Sequence, residues 1–250
     1  MNTQAQQESQ RAPQRHLVIP GDVVAEGRNL KTGPGTYVRD GKLYAARLGL
    51  AEERQGVWGV IPLSGVYQPR TGDTIIAIIT EVGPSNWLTD INAPYPAPLH
   101  SSETPWKIEF GETSEYLKAG DTVLAKILFV DETKKTQITM KEPNLKKLEG
   151  GQVIEIQPSK VARVIGRQGS MIQLIKRFTD VWMVVGQNGR VWLNGEVPMI
   201  RVAVNTIRLI EQEAHRSGLT DKVTAYLKEA SGRSGNEPQP PASRGSAEEF

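Results

Sequence analysis

The stretch Val164 to Ile172, VIGRQGSMI, constrains this chain's fold more than any other. Apolar residues at helical spacing lie on both sides of it, yet two glycines interrupt the pattern. A short helix over SKVARVIG must end at Gly166, with Ser159 after Pro158 as its expected N-cap. A second helix over SMIQLIKRF starts near Gly169, with Met171, Ile172, Ile175 and Phe178 on one face. Between them stands the loop Gly166-Arg167-Gln168-Gly169. Glycines permit positive φ and close backbone approach. The start of the second helix offers unpaired amides and a positive dipole end. Arg167 and Gln168 add a cation and a hydrogen-bonding amide. Such parts can clamp a sugar-phosphate backbone. The same glycines would also serve a tight helix–helix turn with no ligand.

The flanking segments give this loop a setting. GQVIEIQP reads as a strand, and VWMVVGQNGRVWLNG as a hairpin turning at Asn188-Gly189. VPMIRVAVNTIRLIEQEAH is a long amphipathic helix and LTDKVTAYLKEA a short one. The order is β-α-α-β-β-α. Charge follows the same division. Residues 147–230 hold 12 basic and 8 acidic side chains, whereas residues 70–146 hold 8 and 11. Within 158–178 stand Lys160, Arg163, Arg167, Lys176 and Arg177, with no acid, which suits an anionic partner. The pattern V-I-G-x-x-G-x-x-I in this order resembles a type I KH domain, whose GXXG loop grips about four nucleotides. The resemblance implies RNA contacts at Gly166, Arg167, Gln168 and Gly169, supported by Lys160, Arg163 and Lys176.

The rest of the chain reads as strands. HLVIPGDVVAEG gives two apolar runs around a Pro-Gly-Asp turn, and RDGK is a hairpin turn between alternating strands. QGVWGVIPLSGVYQPRTGD adds another strand pair. We assign 16–69 to a small all-β domain. Residues 70–146 carry DTIIAIITEV, NWLTDI, DTVLAKILFV and TQITMK, as in a five-stranded OB-type barrel. The connection NAPYPAPLHSSETPWKIEF has four prolines and is expected to be irregular. Residues 147–230 form the third domain. The fold class expected is multidomain α+β. Residues 1–15 and 231–250 are polar, Pro- and Ser-rich, and expected to be disordered tails.

LKAGDTVLAKILFVDETKKTQITMKE resembles the C-terminal half of an S1 domain. That resemblance implies an RNA-facing aromatic at Trp87, a surface histidine at His100 and a strand cation at Lys126. Trp87 has a second reading, as a core side chain, and the lysines a second reading as solvated charges.

The chain has 250 residues and no cysteine, so disulfides and cysteine-ligated metals are excluded. No apolar run reaches the ~18 residues of a membrane span. The N-terminus lacks the apolar core of a secretory signal, and a cytoplasmic location is expected. No P-loop, G-x-S-x-G or H-E-x-x-H motif occurs, so no catalytic residue, metal or cofactor is assigned.

A β domain, an S1-like barrel and a KH-like domain in this order, opened by LVIPGDVVAEG, resemble the exosome cap subunits with N-terminal, S1 and KH domains. The intact GRQG loop points to the archaeal form. The resemblance implies a non-catalytic subunit. Its N-terminal domain would dock on a ring of RNase PH-like proteins. It would recruit single-stranded, A-rich RNA and guide it to the pore for 3′-to-5′ degradation. It would share the cap with a zinc-ribbon subunit, which this cysteine-free chain cannot itself be. The alternative is a free-standing S1/KH regulator of translation or transcription.

Overall fold

The computed structural model describes residues 15–27, 30–54, 56–214 and 218–232. The tails expected at 1–15 and 231–250 lie outside these residues, apart from Arg15, Ser231 and Gly232. The chain separates into two compact units between Gly65 and Val66.

The first unit holds β1 (His16–Val18), β2 (Val23–Glu26), β3 (Lys31–Thr32), β4 (Thr36–Arg39), β5 (Lys42–Ala45), β6 (Gly49–Arg54) and β7 (Val57–Pro62). They form two sheets, ordered β1-β6-β7-β3 and β2-β5-β4. The RDGK turn joins β4 to β5 with φ of 50° at Asp40 and 73° at Gly41, the two positive values of a type I′ hairpin. Val18, Val24, Leu43, Ala45, Ala51 and Val60 form the core. The expected strand pair within QGVWGVIPLSGVYQPRTGD is different in fact. Only Val57–Pro62 is a strand there, and it pairs with β6, from GLAEER, and in parallel with β3. The outer face of that sheet carries an apolar row. Leu17 stands opposite Leu50, and Leu50 opposite Ile61. Leu17 is 61% exposed and Ile61 36%.

The second unit begins earlier than position 70. Tyr67 is buried in its core and donates a hydrogen bond to Asp73 Oδ2 at 2.6 Å. The barrel comprises β8 (Thr74–Val82), β9 (Asn86–Asp90), β10 (Ala97–His100), β11 (Thr122–Val130) and β12 (Thr136–Thr139), with α1 (Thr113–Tyr116) between β10 and β11. Antiparallel pairs link β8 with β9, β9 with β10, β11 with β12 and β11 with β8. A parallel contact, Leu99 opposite Ile138, closes the cylinder between β10 and β12. This is an OB-like barrel. The strand β13 (Lys146–Leu148) extends the sheet beside β11. The connection expected to be irregular thus supplies β10. Prolines argue against a strand because they remove a ladder donor. Here Pro98 faces outward while Ala97 and Leu99 point into the core, and the single contact to β12 makes little demand on the missing N–H.

The remaining elements are β14 (Gln152–Glu155), α2 (Val161–Ile165), α3 (Ser170–Thr179), β15 (Trp182–Val185), β16 (Arg190–Asn194), α4 (Val197–Gln212) and α5 (Leu219–Ser231). Ser159 is not the cap of α2. It lies inside a one-turn 3-10 helix, Pro158–Lys160, and α2 follows. The sheet order is β14-β16-β15, all antiparallel. One sheet face packs Met183, Val191 and Leu193 against the helices. The other puts the cross-strand row Val153, Trp192 and Val184 against the barrel core. Both faces are therefore covered, which is why β16 shows no in–out alternation.

The β15–β16 turn seals this contact. Asn188 is 0% exposed. Its Nδ2 donates to the carbonyls of Ile76 at 2.8 Å and Ile91 at 2.9 Å, and its Oδ1 accepts the Ile76 amide at 3.2 Å. Asn92 Nδ2 returns a bond to the Asn188 carbonyl at 2.9 Å. The buried Arg190 donates to Asp90 Oδ2 at 2.6 Å and to Glu155 Oε1 at 3.1 Å. Burial pushes the Asp90 carboxyl up. The Arg190 hydrogen bond and charge and the Asn92 amide outweigh it, and the net pKa is lowered. The sequence shows the Asn-Gly turn, and nothing in it signals that the turn is buried. Among the described residues no helix is long and apolar enough to cross a membrane.

Candidate nucleic-acid interface

The GRQG loop joins α2 to α3. Its backbone departs from helical geometry at three of its four residues. Gly166 has φ 75° and ψ 171°, Gln168 φ 53° and ψ 30°, and Gly169 φ 78° and ψ 9°. The loop is tied by the Gly166 amide to the Ala162 carbonyl at 3.1 Å and the Gly169 amide to the Gly166 carbonyl at 3.2 Å. The glycines answer different demands. A Cβ on Gly166 would lie 2.7 Å from the Met171 nitrogen. A Cβ on Gly169 would meet nothing nearer than Gln173 at 4.0 Å, so space there is open and only the left-handed φ favours glycine. A left-handed Gln168 is itself uncommon and costs about 1–3 kcal/mol.

Arg167 and Gln168 both face solvent. Behind them α3 starts with no side-chain cap, and its Ser170 amide donates to the Arg167 carbonyl. Arg163 is exposed on α2, and Lys160 stands at the head of that helix. Arg163 lies in the last turn of α2, beside the loop, whereas Lys160 lies at the other end of that helix from it. Lys176 is not beside the loop either. It lies near the other end of α3, half-buried, with its ammonium 5.8 Å from the centre of the Trp182 ring. Burial lowers its pKa.

The barrel residues are dispersed. Trp87 is 0% exposed and cannot offer a ring face to a base. It stands opposite Leu99 in the barrel lining, and its Nε1 donates to the Leu117 carbonyl at 3.1 Å. The alternation of β9 turns Trp87 and Thr89 inward, and this overturns its reading as a stacking platform. His100 is exposed, but its Nδ1 accepts the Ser102 amide at 3.1 Å and caps a 3-10 turn. Lys126 Nζ donates to Glu142 Oε1 at 2.6 Å.

Comparisons with known proteins bear on this geometry. A KH-domain family model matches residues 151–209. A model described as the exosome RNA binding protein RRP4 N-terminal domain matches residues 15–64. The exosome complex component Rrp4 of Thermoplasma volcanium is 43% identical over 224 residues, 89% of this chain and 94% of that protein. The chain belongs to the Rrp4 family of exosome components. The Rrp4 protein of Methanosarcina mazei is 43% identical over 214 residues, covering 86% of this chain and 82% of that one. A crystal structure described as an exosome complex RNA-binding protein superposes with a TM-score of 0.61 at 34% identity, covering 66% of this chain and 97% of that one. The Rrp4 relatives span the β unit, the barrel and the KH domain alike.

Proposed function

We propose that this Rrp4-family chain is a non-catalytic RNA-binding subunit of the exosome cap. It captures single-stranded, A-rich RNA and guides it to a ring of RNase PH-like subunits for 3′-to-5′ degradation, in the cytoplasm. The observation that carries this reading is the GRQG loop. It presents an exposed cation and an exposed amide at the uncapped start of α3, on a strained backbone held by two glycines. Lys160 and Arg163 supply further charge for phosphates. His100 and Lys126 reach RNA only by giving up Ser102 and Glu142.

Docking on the ring falls to the first unit, whose outer row of Leu17, Leu50 and Ile61 is an apolar surface of the kind that binds protein. The zinc-ribbon subunit is the proposed second component of mixed caps. No active site is assigned to this chain, and purified protein incubated with RNA, phosphate and magnesium should leave the RNA intact.

The deciding experiment is binding of a labelled oligo(A) to the wild-type chain and to the double variant Arg167→Asp, Gln168→Asp. Both side chains face solvent, so the fold should survive. Reversing the charge at the clamp should weaken binding at least about tenfold, the loss of one or two charge-assisted contacts of ~1.5–3 kcal/mol each. Equal affinities would remove the clamp from the account.

A further inference from the structure

The chain has five tryptophans. Trp87 and Trp192 are buried, and Trp58 and Trp106 are half-buried against their cores. Trp182 is 60% exposed. A lone exposed apolar side chain is ordinary, so exposure alone signals nothing. Its setting does. Trp182 opens β15, and in the order β14-β16-β15 that strand lies at the sheet edge. The strand follows α3 after Asp180 and Val181, so α3 has the GRQG loop at one end and Trp182 at the other. Ten helical residues separate them, about 15 Å at 1.5 Å per residue. Lys176 reaches across from α3 and holds its ammonium over the ring, which fixes the ring by cation–π attraction.

We infer that Trp182 and Lys176 form a base-stacking platform for single-stranded RNA, at the far end of α3 from the GRQG loop. The inference rests on the loop being the RNA clamp. Sequence-tolerant binding of single strands joins a basic track to aromatic faces, and this flank has both. Arg167 stands at the loop, Lys176 and Arg177 near the end of α3, and no acid lies between Ser170 and Thr179. A strand leaving the clamp, which holds about four nucleotides, runs along α3 to the ring. Lys176 covers one side of the indole. A base takes the other side, and its phosphate sits by the lysine.

A protein partner fits this site less well. The other exposed large apolar side chain among the described residues of the KH domain is Val197. Two such groups are too few for the few-hundred-Å² patch of a protein contact.

The test uses the full chain with Trp182→Leu, Trp182→Phe and the double loop variant, each titrated with labelled oligo(A) and melted to confirm folding. Indole fluorescence of the same samples follows stacking. Trp182→Leu should weaken binding about tenfold, one base–aromatic stack, whereas Trp182→Phe should retain most of the affinity. Oligo(A) should quench the wild-type fluorescence and leave that of Trp182→Phe unchanged. Wild-type affinity in Trp182→Leu overturns the platform. The loop variant reports separately. If it alone loses RNA, the clamp stands without the platform. If it keeps RNA, the clamp fails, and the Trp182 arms still decide the platform.

Discussion

Gly166 and Gly169 occupy equivalent places in the motif and carry different loads. Gly166 combines a φ/ψ region that is essentially glycine's alone with backbone 2.7 Å from where a Cβ would stand. Gly169 has a left-handed φ and open space. Gly166→Ala should therefore destabilise the unit by about 2–4 kcal/mol through strain and displacement of α3. Gly169→Ala should cost about 1 kcal/mol, the price of the left-handed region alone. Thermal melts of the two variants should rank in that order, and equal melting temperatures would contradict the geometry. Arg167 and Gln168 contribute nothing visible to packing, so their substitution tests binding without testing folding.

At the scale of elements, the β15–β16 hairpin tip ties the KH domain to the barrel by hydrogen bonds. Replacing Asn188 with Ala strips partners from the amide and carbonyl of Ile76 and the carbonyl of Ile91. Unsatisfied buried groups of this kind cost about 1–3 kcal/mol each, so the variant should lose at least about 3 kcal/mol in a denaturant melt. The Arg190–Asp90 pair adds a pH signature. The folded pKa of Asp90 is depressed, as is that of Asp121 beside Lys147. Their stabilisation is full above the ordinary carboxylate range near pH 4 and fades as pH falls through the lower folded values. Arg190→Met should remove the Asp90 share of that acid sensitivity, visible as a flatter stability profile below about pH 4. These elements also mark what the sequence can and cannot show. The GRQG loop is written in contiguous residues and was readable. Trp87 was not, because the face a strand residue takes depends on its pairing with Leu99. The strand β10 hid behind prolines, and β6 behind a glycine and three charges. Asn188 meets Ile76 across a separation of 112 positions, a distance at which one chain's pattern is silent. Trp182 carries no local motif, and only its exposure and its lysine set it apart.

At the scale of the whole chain, the first unit and the barrel–KH unit have separate cores and separate proposed tasks. Leu17→Glu with Ile61→Glu places two charges on the outer apolar row without touching the core. On gel filtration with the RNase PH-like ring, this variant should elute apart from the ring while binding oligo(A) as wild type does. A wild-type chain that ignores the ring would favour a free-standing regulator. The sealed hairpin tip has a different consequence, for how such a protein can vary. Barrel and KH domain look like exchangeable modules in sequence, but Ile76, Ile91, Asn92 and Asn188 form a lock and key distributed over both. A chimera that takes its barrel from one relative and its KH domain from another inherits half of each. The pair is portable only as one cassette, whereas the junction at Gly65 and Val66 is where a recombination event leaves both sides whole.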